Sequence, residues 1–468
     1  MPSKPLLHYL HPSRGERIVW LLEELGVDYD LSVHLRARSG WAEKTLNEVS
    51  SLGKSPALEI DGKLLTESGF ITYYLLKHFS SPNVEASPSD ASVFWSHFAE
   101  GTLLLWSQPT VVLGGGARAF AKNESTKAGA LALAGWYTSE AGRTIAPALQ
   151  QAEEFLGEHE WFSGGDKPGQ GDFMMGYALD QLARGGQLPI GPKTKAYIAK
   201  MKARPAFVRG MARATAAAGE RGGTRAPLLT HIAMAKLTLH YLHPSRGERI
   251  VWLLEELGLE YELVTHLRTE QGWAGESLKA ISPMGKSPVL EVDGKKLTES
   301  GYITHYLLTR HSSPSAEAPP GDDSVFWAHY AEGTLQLWLQ PAFMVAKGVE
   351  GFKKVAWYKM LPGMKMGAGA FGGWFAGVAD TNIAAALGEV EEYLVANEWF
   401  SGTDKPGQGD FMMGYSLDAL VNGNRKGQYD VGPATRAWVA RMRARDAYKR
   451  GQERIAAGVA AAEKEQKA

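Results

Sequence analysis

The stretch LHYLHPSRGERIVWLLEELG occupies residues 7–26, and the same twenty letters return at residues 239–258. The interval, 239 − 7 = 232, persists: Trp95 aligns with Trp327 and Gln108 with Gln340. Six extra residues in the second copy then break the register. It resumes at 398 − 160 = 238, where EWFSGGDKPGQGDFMMGY (Glu160–Tyr177) meets EWFSGTDKPGQGDFMMGY (Glu398–Tyr415). Solenoid repeats span about 20–50 residues, so a period of roughly 235 marks a whole globular unit, duplicated. Each copy is long enough to bury its own core. The stretch GERGGTRAP (Gly219–Pro227), rich in glycine and charge, reads as the junction.

Within a copy the pattern changes type part-way. Leu6–Leu10 is a short apolar strand ending in an HPS turn. Ile18, Leu21, Leu22 and Leu25 then fall on one face of a helix that Gly26 stops. Tyr29–Val33 predicts a second strand. Ala57–Ile60 and Lys63–Leu65 predict two more, joined by Asp61-Gly62, a hairpin signal. Glu67–His78 predicts a closing helix. The strand–helix–strand unit should be parallel and right-handed, and the last two strands antiparallel. Beyond Ser89 only helical patterns occur, as in FWSHFAEGTLLLW. Each copy is therefore expected to be a small α/β domain followed by an all-α domain. The expected boundaries are 1–85 and 86–222 in the first copy, a linker at 223–235, then 236–317 and 318–468.

Composition removes several functions. Lys+Arg number 50 against 51 Asp+Glu, so no basic field draws nucleic acid or anionic lipid. No apolar run is long enough to span a membrane, and MPSKPLLHYL lacks the apolar core of a signal peptide. A cytoplasmic location is expected. Cysteine is absent, which excludes disulfides, thiolate metal sites and cysteine nucleophiles. No metal site is expected.

Three motifs, in this order and in both copies, resemble the glutathione transferase family. HYLHPSRGERIVWLLEELG is similar to the opening strand and helix of the fungal and bacterial members related to the yeast enzymes. SLGKSPALEIDGKLLTESGFI and SPMGKSPVLEVDGKKLTESGYI resemble the family's glutathione-binding stretch. PGQGDFMM stands where members carry an S/T-x-x-D capping box. The resemblance implies, twice over, a thioredoxin-like glutathione-binding domain followed by the family's helical domain. It also implies glutathione as co-substrate, and the motif style points to a fungus.

The implied site residues follow. Ser55-Pro56 and Ser287-Pro288 would be cis and offer backbone groups to the tripeptide; the alternative is an ordinary trans proline opening an edge strand. Glu67-Ser68 and Glu299-Ser300 would hold the γ-glutamyl amine and carboxylate at a helix start. Alternatively they belong to a plain helix cap, with Thr66 as N-cap. Lys54 and Lys286 would pair with the glycine-end carboxylate, or be solvated. Trp41 and Trp273 would touch that end, or pack. Ser13 and Ser245 would stabilise the thiolate, with His11 and His243 as the second choice. Leu10 stands near the position where better-known classes carry their activator, and Tyr9 should point into the core. The rival reading of Ser13 is an N-cap with Glu16 three residues on. Arg14 and Arg17 are expected to hold helix and domain contacts. Asp172 and Asp410 are expected to serve folding, with Gly169 and Gly407 in place of the reciprocal hydroxyl. Glu100 and Glu332 are expected to be solvated or structural at an interface; the alternative is that they reach across a subunit interface to glutathione.

A duplicated unit of a family that pairs by two-fold symmetry predicts an intramolecular pseudo-dimer, the partner arriving at high effective concentration. The expected function is a tandem glutathione S-transferase, each half delivering the glutathione thiolate to an apolar electrophile by conjugation, isomerisation or ether cleavage. The alternative is a non-catalytic apolar-ligand carrier, or a half-active pseudo-dimer. The copies differ most in the middle of the helical domain, where the second has AFMVAKGVEGFKKVAWYKMLPGMKMGAGAFGGWFAGVAD. That segment either lines a pliable apolar pocket or packs helices, its glycines marking a loop.

Overall fold

The computed structural model describes residues 4–36, 44–50, 52–120, 124–186, 188–217, 237–270, 272–355 and 363–466. Trp41 and the expected linker at 223–235 lie outside these residues. The first copy opens with β1 (Leu6–Leu10), α1 (Glu16–Leu25), β2 (Asp30–His34), a 3-10 turn (Lys44–Leu46), β3 (Ala57–Ile60), β4 (Lys63–Leu65) and α2 (Ser68–His78). The sheet runs β2-β1-β3-β4. β2 lies parallel to β1; β3 and β4 are antiparallel additions. α3 (Asp90–Phe98) passes through a π-helical turn (Ala99–Leu104) into α4 (Leu105–Phe120). α5 (Glu124–Glu158), α6 (Gln170–Gly185), α7 (Pro192–Ala203) and α8 (Pro205–Ala217) follow.

The second copy repeats this plan. Its sheet domain holds β5 (Leu237–His243), α9 (Glu248–Leu257), β6 (Tyr261–Leu267), α10 (Glu276–Lys279), β7 (Val289–Val292), β8 (Lys295–Leu297) and α11 (Ser300–Arg310). Its helices are α12 (Asp322–Tyr330), a π-helical turn (Ala331–Gln336), α13 (Leu337–Lys354), α14 (Met364–Ala396), α15 (Gln408–Val421), α16 (Pro433–Ala444) and α17 (Asp446–Gln466). The fold is a thioredoxin-like sheet unit plus a helical domain, duplicated in one chain.

Local chemistry sets these elements. α1 buries Ile18, Leu21 and Leu22 completely, and Gly26 ends it in the left-handed region (φ 67°) with its N–H on the carbonyls of Leu22 and Glu23. Asp61 (φ 51°) and Gly62 (φ 75°) make the tight hairpin turn. Asp172 accepts N–H bonds from Phe162 (2.8 Å), Ser163 (3.0 Å) and Gly169 (2.9 Å), fixing the entry to α6. A Cβ at Gly169 would lie 2.0 Å from Glu85 Oε2 and 2.3 Å from Ser92 Oγ. The Ser92 hydroxyl, on α3, accepts the Gly171 N–H (3.3 Å). The cap hydroxyl absent at Gly169 thus comes from a neighbouring helix.

The copies meet about a pseudo-two-fold axis, with the aromatic contacts exchanged and the ion pairs shifted by one residue. Lys77 pairs with Asp322 (2.5 Å) and Arg310 with Asp90 (2.7 Å). Phe70 packs edge-on against Phe326, and Phe94 against Tyr302. His97 and His329 stack, centroids 5.0 Å apart. Burial lowers the His97 pKa well below its usual value and takes His329 to about 4, so two neutral rings meet there. Further along, α5 and α14 touch backbone to backbone. A Cβ on Gly129 would lie 2.2 Å from the Met364 carbonyl oxygen, and one on Gly367 2.3 Å from that of Thr126. The glycines between Gly367 and Gly377 therefore lie in a helix, not a loop. Phe371 and Phe375 are fully buried, and Trp374 presses on Gly116 of the first copy. The described part of this segment packs helices, and its Gly348, Phe352, Val355 and Met364 also line an apolar cavity of about 510 Å³ against Trp136 of the first copy.

Candidate functional site

The Ser55–Pro56 and Ser287–Pro288 peptides are both cis. Ser55 Oγ accepts the Leu10 N–H (2.9 Å) and ties the proline loop to β1. Ser55 lines a narrow crevice together with Arg14, Lys54, Pro56, Glu67 and Ser68. Glu67, not Thr66, is the N-cap of α2. Its backbone takes φ 63° and ψ 112°, and Glu299 repeats this at 65° and 114°. Such angles are uncommon outside glycine and cluster at functional sites. Ser68 is buried as the first residue of α2, and its Oγ accepts an N–H from Arg17 (2.9 Å).

The other copy completes each crevice. Lys54 Nζ donates to Thr334 Oγ1 (3.1 Å), and that hydroxyl donates to the Glu67 carboxylate. Reciprocally, Lys286 Nζ donates to Thr102 Oγ1 (2.7 Å), which donates to Glu299. A hydroxyl can accept from an ammonium while donating to a carboxylate. Glu389 of α14 also lines the first crevice. The approach needs glycine beside each threonine: a Cβ on Gly333 would stand 2.5 Å from Glu67 Oε2, and one on Gly101 2.9 Å from Glu299 Oε2.

Below the crevice lies a buried ion triad. Arg14 (2.7 Å) and Arg17 both donate to Glu100. Arg17 also donates to the Met174 carbonyl (2.8 Å), bridging to α6. Arg246, Arg249 and Glu332 repeat the triad. Glu100 and Glu332 are thus structural groups of their own copy; the solvated reading is wrong, because two guanidiniums need a buried counter-charge. Burial works to raise the Glu100 pKa, but Arg17 and Arg14 outweigh it and hold the carboxyl at about 2. Burial brings Lys54 and Lys286 down to about 8 and raises Glu67. Both lysines are half-buried and hydrogen-bonded across the seam between the copies.

Comparison with known proteins identifies the two sheet domains. The model for the glutathione S-transferase N-terminal domain matches residues 4–77 and, again, 235–309. Both sheet domains belong to the glutathione S-transferase N-terminal domain family. Glutathione S-transferase 1 of Saccharomyces cerevisiae is 40% identical over 121 residues, 24% of this chain and 52% of that protein. Glutathione S-transferase 3 of Schizosaccharomyces pombe is 37% identical over 106 residues, 21% of this chain and 42% of that protein. The alignments span about half the length of these curated relatives. A solved glutathione S-transferase from Actinobacillus pleuropneumoniae is 28% identical, covering 47% of this chain and 92% of that one, with a TM-score of 0.36.

Within this family frame, the thiol-activating candidates sit as follows. Ser13 is 7% exposed; its Oγ accepts the Gly15 N–H (3.1 Å) and lies 3.2 Å from Ser55 Oγ. Ser245 repeats this with Gly247 (3.1 Å) and Ser287 (3.3 Å). The helix starts at Glu16 with Gly15 as N-cap, so Ser13 and Glu16 form no capping box; Glu16 lies 3.5 Å from Arg184 instead. His11 Nδ1 bonds the hydroxyl of the fully buried Tyr9 (2.8 Å), and His243 that of Tyr241 (2.9 Å). Neither His11 nor Ser13 lines the crevice, though Ser13 Oγ reaches its Ser55 wall. Trp273 is 37% exposed. Sequence reasoning missed Thr102, Thr334 and the place of Arg14 in the crevice. One signal was available: AEGTL stands unchanged at 99–103 and 331–335.

Proposed function

We propose that the chain is a tandem glutathione S-transferase that binds glutathione in both copies and delivers its thiolate to an electrophile. The observation that carries this reading is the paired set of Lys54, cis Ser55-Pro56 and Glu67, closed by Thr334, with its mirror at Lys286, Ser287-Pro288, Glu299 and Thr102. The cis peptide offers backbone groups to an extended peptide. Glu67 supplies an anion for the γ-glutamyl amine, the N-terminus of α2 receives the adjoining carboxylate, and Lys54 receives the glycine-end carboxylate. The crevice holds only about 20 Å³, so Lys54 and Thr334 part as the tripeptide enters.

Ser13 then acts on the thiol. A free cysteine thiol has a pKa near 8.5, and each unit of lowering needs about 1.4 kcal/mol of preference for the anion. A Ser13 O–H donated to sulfur at the start of α1 supplies stabilisation of that order. The protein contributes position and electrostatics, and glutathione supplies the nucleophile.

Calorimetric titration tests this. Wild type should show two glutathione sites. Glu67→Ala should weaken one by about ten- to a hundred-fold, and Glu299→Ala the other, the cost of one charge-assisted contact. Absence of any heat, with no competition by S-hexylglutathione, would leave an apolar-ligand carrier on a transferase fold.

A further inference from the structure

We infer that the first copy alone binds an uncharged, hydrogen-bonding small molecule, in a cavity between α4, α5 and α6. The cavity measures about 470 Å³, within the range of small-ligand sites. Ser107, Thr110, Thr138, Ser139 and Gln181 line it, alongside aliphatic side chains such as Ile145 and Leu182. Thr110 donates to the Ser107 carbonyl (2.7 Å) and Thr138 to the Ala134 carbonyl (2.9 Å). Their protons are committed, and their lone pairs remain as acceptors. Ser107 Oγ is buried, its residue 3% exposed, without a hydrogen-bond partner. A buried hydroxyl left unpaired is costly, so a ligand group that meets it gains affinity. None of the described lining residues is charged, and burying an uncompensated ionic ligand there would be prohibitive.

The second copy serves as the internal control. At the same aligned places, Ser107 becomes Leu339, Thr110 becomes Ala342, Thr138 becomes Ala376, Ser139 becomes Gly377 and Gln181 becomes Ala419. Every hydrogen-bonding side chain is gone. The α15–α16 connection is also longer by three residues: Gly185 to Gly191 spans 6 positions, Gly423 to Gly432 spans 9. From this connection Arg425 donates to the Leu339 carbonyl (2.9 Å) and lies 5.2 Å over the Phe343 ring. Tyr429 hydrogen-bonds Asp380, which replaces the cavity-lining Gly142. Lining, loop length and packing all close in the second copy what is open in the first.

The test is fluorescence titration of the whole chain with 7-hydroxy-4-methylcoumarin, at mildly acidic pH where this phenol is uncharged. Saturable binding of one molecule per chain is expected. Ser107→Ala and Gln181→Ala should each weaken it about tenfold, the loss of one hydrogen bond, while Arg425→Ala leaves the first-copy affinity unchanged. Circular dichroism confirms that each variant is folded. Two equal sites, no saturable binding, or indifference to both Ser107→Ala and Gln181→Ala would overturn the inference. Glutathione titration of the same variants should not change, so failure here is separable from failure of the transferase reading.

Discussion

Glu100→Ala should cost the first copy about 3–5 kcal/mol, the penalty of leaving buried cations unpaired. Arg17 has no exposed side-chain surface and Arg14 only 12%. Neither can turn to water when the carboxylate is removed. Arg17 also bonds Ser68 and the Met174 carbonyl, so its displacement loosens the α2 start and the junction between the two domains together. Thermal melting should show an early transition in Glu100→Ala, and a matching one in Glu332→Ala. The pH dependence follows the same logic. The Glu100 carboxyl is held at about 2 against an ordinary 4.5. A depressed carboxyl pKa stabilises the fold above the ordinary value, and that contribution drains away as pH falls from about 4.5 toward 2. An unchanged melt in Glu100→Ala would remove the triad from the account.

Gly129→Leu should drive the two copies apart along α5 and α14. The obstructing atom is a backbone carbonyl, 2.2 Å from the new Cβ, and cannot rotate away. Overpacking of this kind costs about 1–3 kcal/mol. The larger consequence is functional. α14 also brings Glu389 to the first crevice, and the copy that carries it brings Thr334 to Glu67. A shift of the seam should therefore weaken glutathione binding in both copies, by about tenfold each if one hydrogen bond is lost per site. Calorimetry gives the affinities, and small-angle scattering the separation. Unchanged binding would show that the seam and the sites are independent.

Much of each sheet domain was legible because its signals are local. Asp61-Gly62 demands left-handed angles, Gly26 ends a helix, and the apolar spacing in Ile18–Leu25 repeats at the helical period. Other features depend on tertiary position. Thr66 has the right chemistry for a cap, yet the chain turns one residue later, at Glu67, whose unusual backbone is fixed by surroundings no local rule contains. The glycines of α14 each weaken a helix by about 1 kcal/mol in isolation. They read as a loop until α5 is placed against them. Gly169 seemed to lack a capping partner because Ser92, 77 positions earlier (169 − 92), supplies it. Thr334 lies 267 positions from Glu67, and only the pseudo-two-fold axis brings them together. The asymmetry between copies was visible in composition. Its meaning was not: the apolar second-copy segment packs the seam and lines an apolar cavity there, while a polar, uncharged cavity lies in the first copy.

On the proposed reading, each copy completes the other's glutathione site. Thr334→Val tests it most directly, because the residue belongs to the second copy and its effect should appear in the first. Without that hydroxyl, Glu67 loses the hydrogen bond that favours its charged form. In a two-site glutathione titration, Thr334→Val should weaken the site that Glu67→Ala removes by about ten- to a hundred-fold, and leave the Glu299 site intact. Equal affinity at the Glu67 site, or loss at the Glu299 site instead, would contradict the account.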